Sequence, residues 1–186
     1  MTDEAPDLRA VHTAALTEVQ RLVDGVRSEQ LEALTPCGDW DVRLLLGHLV
    51  AGNRRFAAAA SGASMMAALG EIAPESDSAA YAESARQAID AWRDPAALDQ
   101  DKGVMLLTVH LAELLIHGWD LARATGQQPQ FGEPILDVVE PFGKALMPTE
   151  RPDGMGFAPA AEAPDDASRL DRLAAFYGRP LRPPAP

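Results

Sequence analysis

Between Leu106 and Leu121 the chain sets His110, Glu113 and His117 among leucines. On a helix, side chains advance about 100° per residue. With His117 at zero, Glu113 falls at about −40° and His110 at about +20°. Leu106, Leu114 and Leu121 share that arc, at about −20°, +60° and +40°. An apolar arc points into the interior. A lone carboxylate buried there costs several kcal/mol unless it is paired or holds a cation. Two explanations stay open at this point: a metal site, or a complete polar network without metal.

A second stretch supplies a partner. His48 lies beside the apolar stripe of its own segment, between Leu44 at about −40° and Leu45 at about +60°. If the two helices are neighbours, His48, Glu113 and His117 form a set of two imidazoles and one carboxylate. Such a set suits zinc and other borderline divalent ions, and three protein ligands leave a coordination position open for chemistry. His110 is then a candidate fourth ligand, a partner behind a ligand, or a base facing substrate.

The remaining polar and aromatic residues are read more plainly. Cys37 precedes a helix start, where a thiol is activated, but a small buried packing residue is the favoured reading. As the sole cysteine it forms no internal disulfide and no thiolate cage. Trp40 and Trp119 read as packing anchors or pocket walls. Asp120, at about −60° from His117, is placed to orient a ligating histidine or to pair with Arg123. Asn53 is polar on an apolar side, facing a substrate or a backbone group. His12 reads as exposed and without partner. Met65 and Met66 fall in a loop, either loosely packed or a lid over an apolar site.

Helices must position these groups. Aromatics are only 5% of the chain, and the apolar spacing is helical throughout. Leu8, Val11, Ala15, Val19, Leu22 and Val26 make one helix face, with Asp24-Gly25 a break. A turn at 35–38 leads to Asp39 as the expected N-cap of a helix reaching about residue 60. Gly62, Gly70 and Pro74 mark a loop. Further helices are expected over 79–93, 104–125 with Gly126 beyond its end, and 134–147. Eight of the fifteen prolines follow Met147, so the chain beyond it reads as extended, broken by a short helix capped by Asp165 or Asp166 and bearing Leu170, Leu173, Phe176 and Tyr177. The fold class is all-α, an antiparallel helical bundle with extra short helices and an irregular Pro-rich C-terminal wrap.

Composition bounds the function. The 186 residues are 47% hydrophobic and 24% charged, the balance of one globular domain. Net charge is −12, which repels phosphate backbones and anionic lipid, so nucleic acid and membrane are excluded as expected partners. No run of eighteen apolar residues is present. The N-terminus shows no basic patch followed by an apolar stretch, which points to the cytoplasm.

Two stretches carry a resemblance. One runs from Leu34 through Thr35-Pro36-Cys37-Gly38-Asp39-Trp40 and Gly47-His48 to Arg54. The other runs from Glu113 through His117-Gly118-Trp119-Asp120 to Gly126. A weaker third spans Asp171 to Arg179. Together they resemble the metal-binding four-helix-bundle proteins related to the N-terminal domain of mycothiol-dependent maleylpyruvate isomerase, in the wider DinB-like group. The Pro-rich composition of 179–186 reads as a flexible tail, and the resemblance implies a DinB-like antiparallel four-helix bundle over 1–178. It carries the family's metal ligands onto His48, Glu113 and His117. Zinc is the leading ion, with nickel, iron and manganese open. It implies mycothiol as co-substrate, its thiolate adding to an electrophilic small molecule in a transfer or isomerisation. Arg54, Arg55 and Arg123 are then candidates to hold substrate carboxylates, and His110 is the candidate base. Pairing into a homodimer is allowed. A thiol-free metal enzyme, hydrolytic or acting on a specialised metabolite, and a non-catalytic metal-binding module are the competing readings.

Overall fold

The computed structural model describes residues 6–64, 72–100, 102–148, 151 and 158–181. The described residues are all-helical, with no strand among them. The helices are α1 (Leu8–Asp24), α2 (Val42–Ala60), α3 (Ser78–Trp92), α4 (Ala96–Asp99), α5 (Gly103–Thr125), α6 (Glu133–Leu146) and α7 (Arg169–Phe176), with a 3₁₀ turn at Ser28–Gln30. Met65 and Met66 lie outside the described residues.

Local chemistry sets the boundaries. α1 stops at Asp24, where Gly25 caps it, so Val26 falls outside the helix. The N-cap of α2 is Asp41, not Asp39: its carboxylate accepts from the Leu44 N–H at 2.8 Å. The loop before it closes on itself, through Thr35 N–H to Trp40 O at 2.8 Å and Val42 N–H to Ala33 O at 3.0 Å, which carries the helix start two residues beyond the expected one. Asp77 caps α3. Ser168 caps α7, not Asp165 or Asp166. The short α4 was not expected from the sequence; Pro95 opens it.

α2 packs on α3 and α5, and α1 packs on both as well, with α6 laid against α5 and α1. α5 is the most enclosed element. Leu107, Leu111, Leu114, Leu115, Ile116 and Leu121 are all shut off from solvent, so its apolar residues run right round the helix. Each such burial contributes roughly 1.5–3 kcal/mol. Polar groups on α5 are therefore forced to find partners inside the protein. That is the physical origin of the site.

The C-terminal segment departs from the expected loose tail at Arg179, which is buried. α7 ends in a Schellman motif: Gly178 N–H bonds Ala175 O at 2.8 Å and Arg179 N–H bonds Ala174 O at 3.0 Å. Gly178 sits at φ +82°, the left-handed conformation that turns the chain back. A methyl there would also lie 2.5 Å from the Ala158 carbonyl oxygen. This turn aims Arg179 at α5.

Candidate metal centre

α2 and α5 bring His48, Glu113 and His117 together. His48 Nε2–H donates to Glu113 Oε2 at 3.0 Å, and His117 Nε2 lies 3.6 Å from the same oxygen. The two imidazoles meet edge to face, centroids 4.7 Å apart. One donor atom from each residue lies within 4.8 Å of the others. Ligands held at about 2.1 Å from a tetrahedral cation stand about 3.4 Å apart, so the spacing fits a small divalent ion. The side chains of His48 and Glu113 keep 13% and 22% exposure, so the trio is reached from solvent. Trp40, from the loop before α2, covers both imidazoles, 4.9 Å from His48 and stacked over His117 at 6.1 Å.

The charge states suit the same purpose. Burial opposes the charge on Glu113, yet the His48 hydrogen bond and the charges of His117, His48 and Arg55 hold its carboxyl down at about 2. Burial opposes the charge on His117 as well. Hydrogen bonds to Asp120 and Cys37 and the charges of Glu113 and Asp120 outweigh it and push the imidazole up to about 10. Burial pushes His48 down, offset in part by Glu113. The trio thus holds one carboxylate and one extra proton, the place a divalent cation would take.

Behind His117 the arrangement continues. Its Nδ1–H donates to Asp120 Oδ2 at 3.1 Å, which fixes the ring with Nε2 toward Glu113. Asp120 has no exposed surface and is bound by Arg179, whose Nε reaches Oδ1 at 2.9 Å and whose Nη2 reaches Oδ2 at 2.9 Å. The same Nη2 lies 3.3 Å from Cys37 Sγ. Cys37 is therefore not simple packing: it is half-buried and turned toward the back of the site. Asp120 pairs with His117 and Arg179, while Arg123 stacks on Trp119 and donates to Leu181 O.

The structure does not bring His110 to the trio. Its ring is buried and stacked on Phe56 at 4.3 Å, with Nδ1 facing His12 Nε2 at 3.0 Å and Nε2 facing Asn53 Oδ1 at 3.1 Å. Both nitrogens are used and the ring is shut off from solvent, which fits neither a fourth ligand nor a base facing substrate. His12 is not exposed; it is 1% accessible and is His110's partner. Asn53 donates on to Ser84 Oγ at 3.0 Å and Ser84 to Tyr81 O, so the network runs in one direction: His12, His110, Asn53, Ser84. Burial pushes His12 down to about 4 and holds His110 well below its ordinary value, which keeps both neutral.

Of the arginines, Arg54 is exposed and pairs with Glu75 at 3.2 Å. Arg123 lines a groove of about 650 Å³ with Pro36, Gly38 and Pro180. Arg55 is buried, and its charge acts on His48, Glu113 and His110. It shares a pocket of about 400 Å³ with Arg54 and Ala73. Helix arithmetic carries a signal for it: Arg55 lies seven residues past His48, about −20° away, while Arg54 lies about −120° away.

An all-helical protein with a two-histidine, one-carboxylate cluster on facing helices is the class that fold and site define. Residues 12–64 match the family model of the mycothiol maleylpyruvate isomerase N-terminal domain, which bears out the resemblance read from the sequence. That match takes in His48 and Trp40; Glu113 and His117 lie beyond it. Uncharacterized proteins from two strains of Mycobacterium tuberculosis are each 29% identical over 180 residues, covering 92% of this chain and 97% of their own length. No solved structure gives a significant match.

Proposed function

We propose that the protein is a divalent-metal enzyme of the DinB-like kind, joining a low-molecular-weight thiol to an electrophilic small molecule or isomerising it through that thiol. One observation carries the reading: three donor atoms of His48, Glu113 and His117 converge within 4.8 Å, and the far nitrogen of His117 is tied to a buried carboxylate. The family match supports mycothiol as the thiol, and the donor set of two imidazoles and one carboxylate supports zinc as the leading ion.

When bound, the cation supplies an electrostatic preference for thiolate over thiol. His48, Glu113 and His117 would hold it. To bind it, His48 would move its proton from Nε2 to Nδ1, and His117 would keep its proton on Nδ1, donated to Asp120. Trp40 covers the imidazoles and restricts water on that side. Arg54 and Arg55 at one pocket and Arg123 at another offer cations to a substrate carboxylate.

The test is a conjugation screen. Zinc-loaded protein is incubated with mycothiol and a panel of electrophiles, and products are read by mass spectrometry. S-conjugates or rearranged substrates are expected with wild type and not with Glu113→Gln. Turnover that is indifferent to the thiol would contradict the reading.

A further inference from the structure

His117 belongs to two candidate ligand sets among the described residues. One is His48, Glu113 and His117; the other is Cys37, His117 and Asp120, again with donor atoms within 4.8 Å. The second set offers a thiolate, an imidazole and a carboxylate, a combination that binds zinc well. The two sets differ in what already fills them. Arg179 reaches the second set from the turn after α7, with its guanidinium on both Asp120 oxygens and on Cys37 Sγ. Its side chain is 5% exposed and that of Asp120 is 0% exposed. A guanidinium cannot give up its proton to make room, and it has no acceptor to offer a metal. A divalent ion at that position would face a fixed positive charge in a water-poor setting. The Asp120 carboxylate, fixed by the fork, also keeps the proton on His117 Nδ1, which leaves Nε2 for the other set.

Resting on the proposed metal centre, we infer that Arg179 is a built-in cation that closes the Cys37–His117–Asp120 set to metal and directs a divalent ion to the His48–Glu113–His117 set. Arg179 is thus a positioning residue, acting through Asp120 and His117. The C-terminal segment decides which side of His117 is metallated.

Cobalt(II) tests this, because a thiolate ligand adds a charge-transfer band in the near ultraviolet. Wild type is expected to bind cobalt without that band, and Cys37→Ser to give the same spectrum. Arg179→Lys, which keeps a cation, is expected to match wild type. Arg179→Gln is expected to gain the thiolate band, and the double variant Arg179→Gln, Cys37→Ser to lose it again. A thiolate band in wild type that Cys37→Ser removes would overturn the inference, and that comparison stands even if Arg179→Gln fails to fold. Arg179→Gln holding cobalt with the wild-type spectrum would overturn it too. Wild type that takes up no cobalt overturns the metal centre itself, and the inference with it.

Discussion

At the scale of residues, His117 joins the two halves of the site. One nitrogen faces Glu113 and the other is held by Asp120, whose charge is in turn held by Arg179. Replacing Asp120 by Ala removes the acceptor that fixes the ring. Metal affinity is expected to drop roughly 10–100-fold, measured by competition with a chromophoric chelator. The same change strands a buried guanidinium, so a stability loss of about 3–5 kcal/mol is expected in urea unfolding. Unchanged affinity would show that the outer carboxylate does not orient the ligand. The convergence of His48, Glu113 and His117 was legible in the sequence, because each sits on a long helix where angle follows from number. Arg179 was not: a Pro-rich terminus reads as solvent-exposed, and its partner Asp120 is 59 residues away in the chain. His12 was missed for a similar reason, since its partner His110 is 98 residues distant. A local signal existed there, because Leu16 and Val23 fall at about +40° and +20° from His12 and are buried.

At the scale of elements, the ends matter more than the middles. Helix interiors followed the apolar spacing, and α5 and α6 lie within a residue or so of expectation. Caps were harder. Asp39 and Asp41 are equally good N-cap residues by type, and only the closed loop at 33–42 selects Asp41. The end of α7 is the element on which the site depends from outside α2 and α5. Gly178 gives the Schellman turn its left-handed residue, and the neighbouring Ala158 carbonyl leaves no space for a side chain. Gly178→Ala is expected to cost at least about 1–2 kcal/mol from backbone conformation alone. The readout is the thermal midpoint of the protein, beside Gly62→Ala as a comparison at another left-handed glycine where the nearest heavy atom is 3.8 Å off. Equal losses at the two positions would argue that the close approach to Ala158 contributes nothing.

At the scale of the whole molecule, one apolar core joins α1, α2, α3, α5 and α6, with Leu173 and Tyr177 at the C-terminal end. Two polar systems cross it: the His48–Glu113–His117 trio with its Asp120–Arg179 support, and the neutral His12–His110–Asn53 chain. The second sets an acid limit on the fold. Folded His12 titrates at about 4 against an ordinary 6.5, and His110 is lowered too. Between those pH values the unfolded chain binds more protons, so stability falls as pH drops through the window. About 3 kcal/mol is at stake for His12 alone. Metal-free protein is expected to lose urea resistance from pH 6.5 to 4, and His12→Gln to flatten that slope. A slope that His12→Gln leaves unchanged would assign the acid sensitivity elsewhere.

The bound ion decides between a metal centre and a structural network. Untagged protein purified without chelator should be measured for metal content by mass spectrometry, beside Glu113→Gln and His117→Ala. Near-stoichiometric divalent metal in wild type, lost in both variants, is the expected result. Wild type that stays metal-free after incubation with divalent ions, or variants that retain the metal, would contradict the account and leave His48, Glu113 and His117 a structural network.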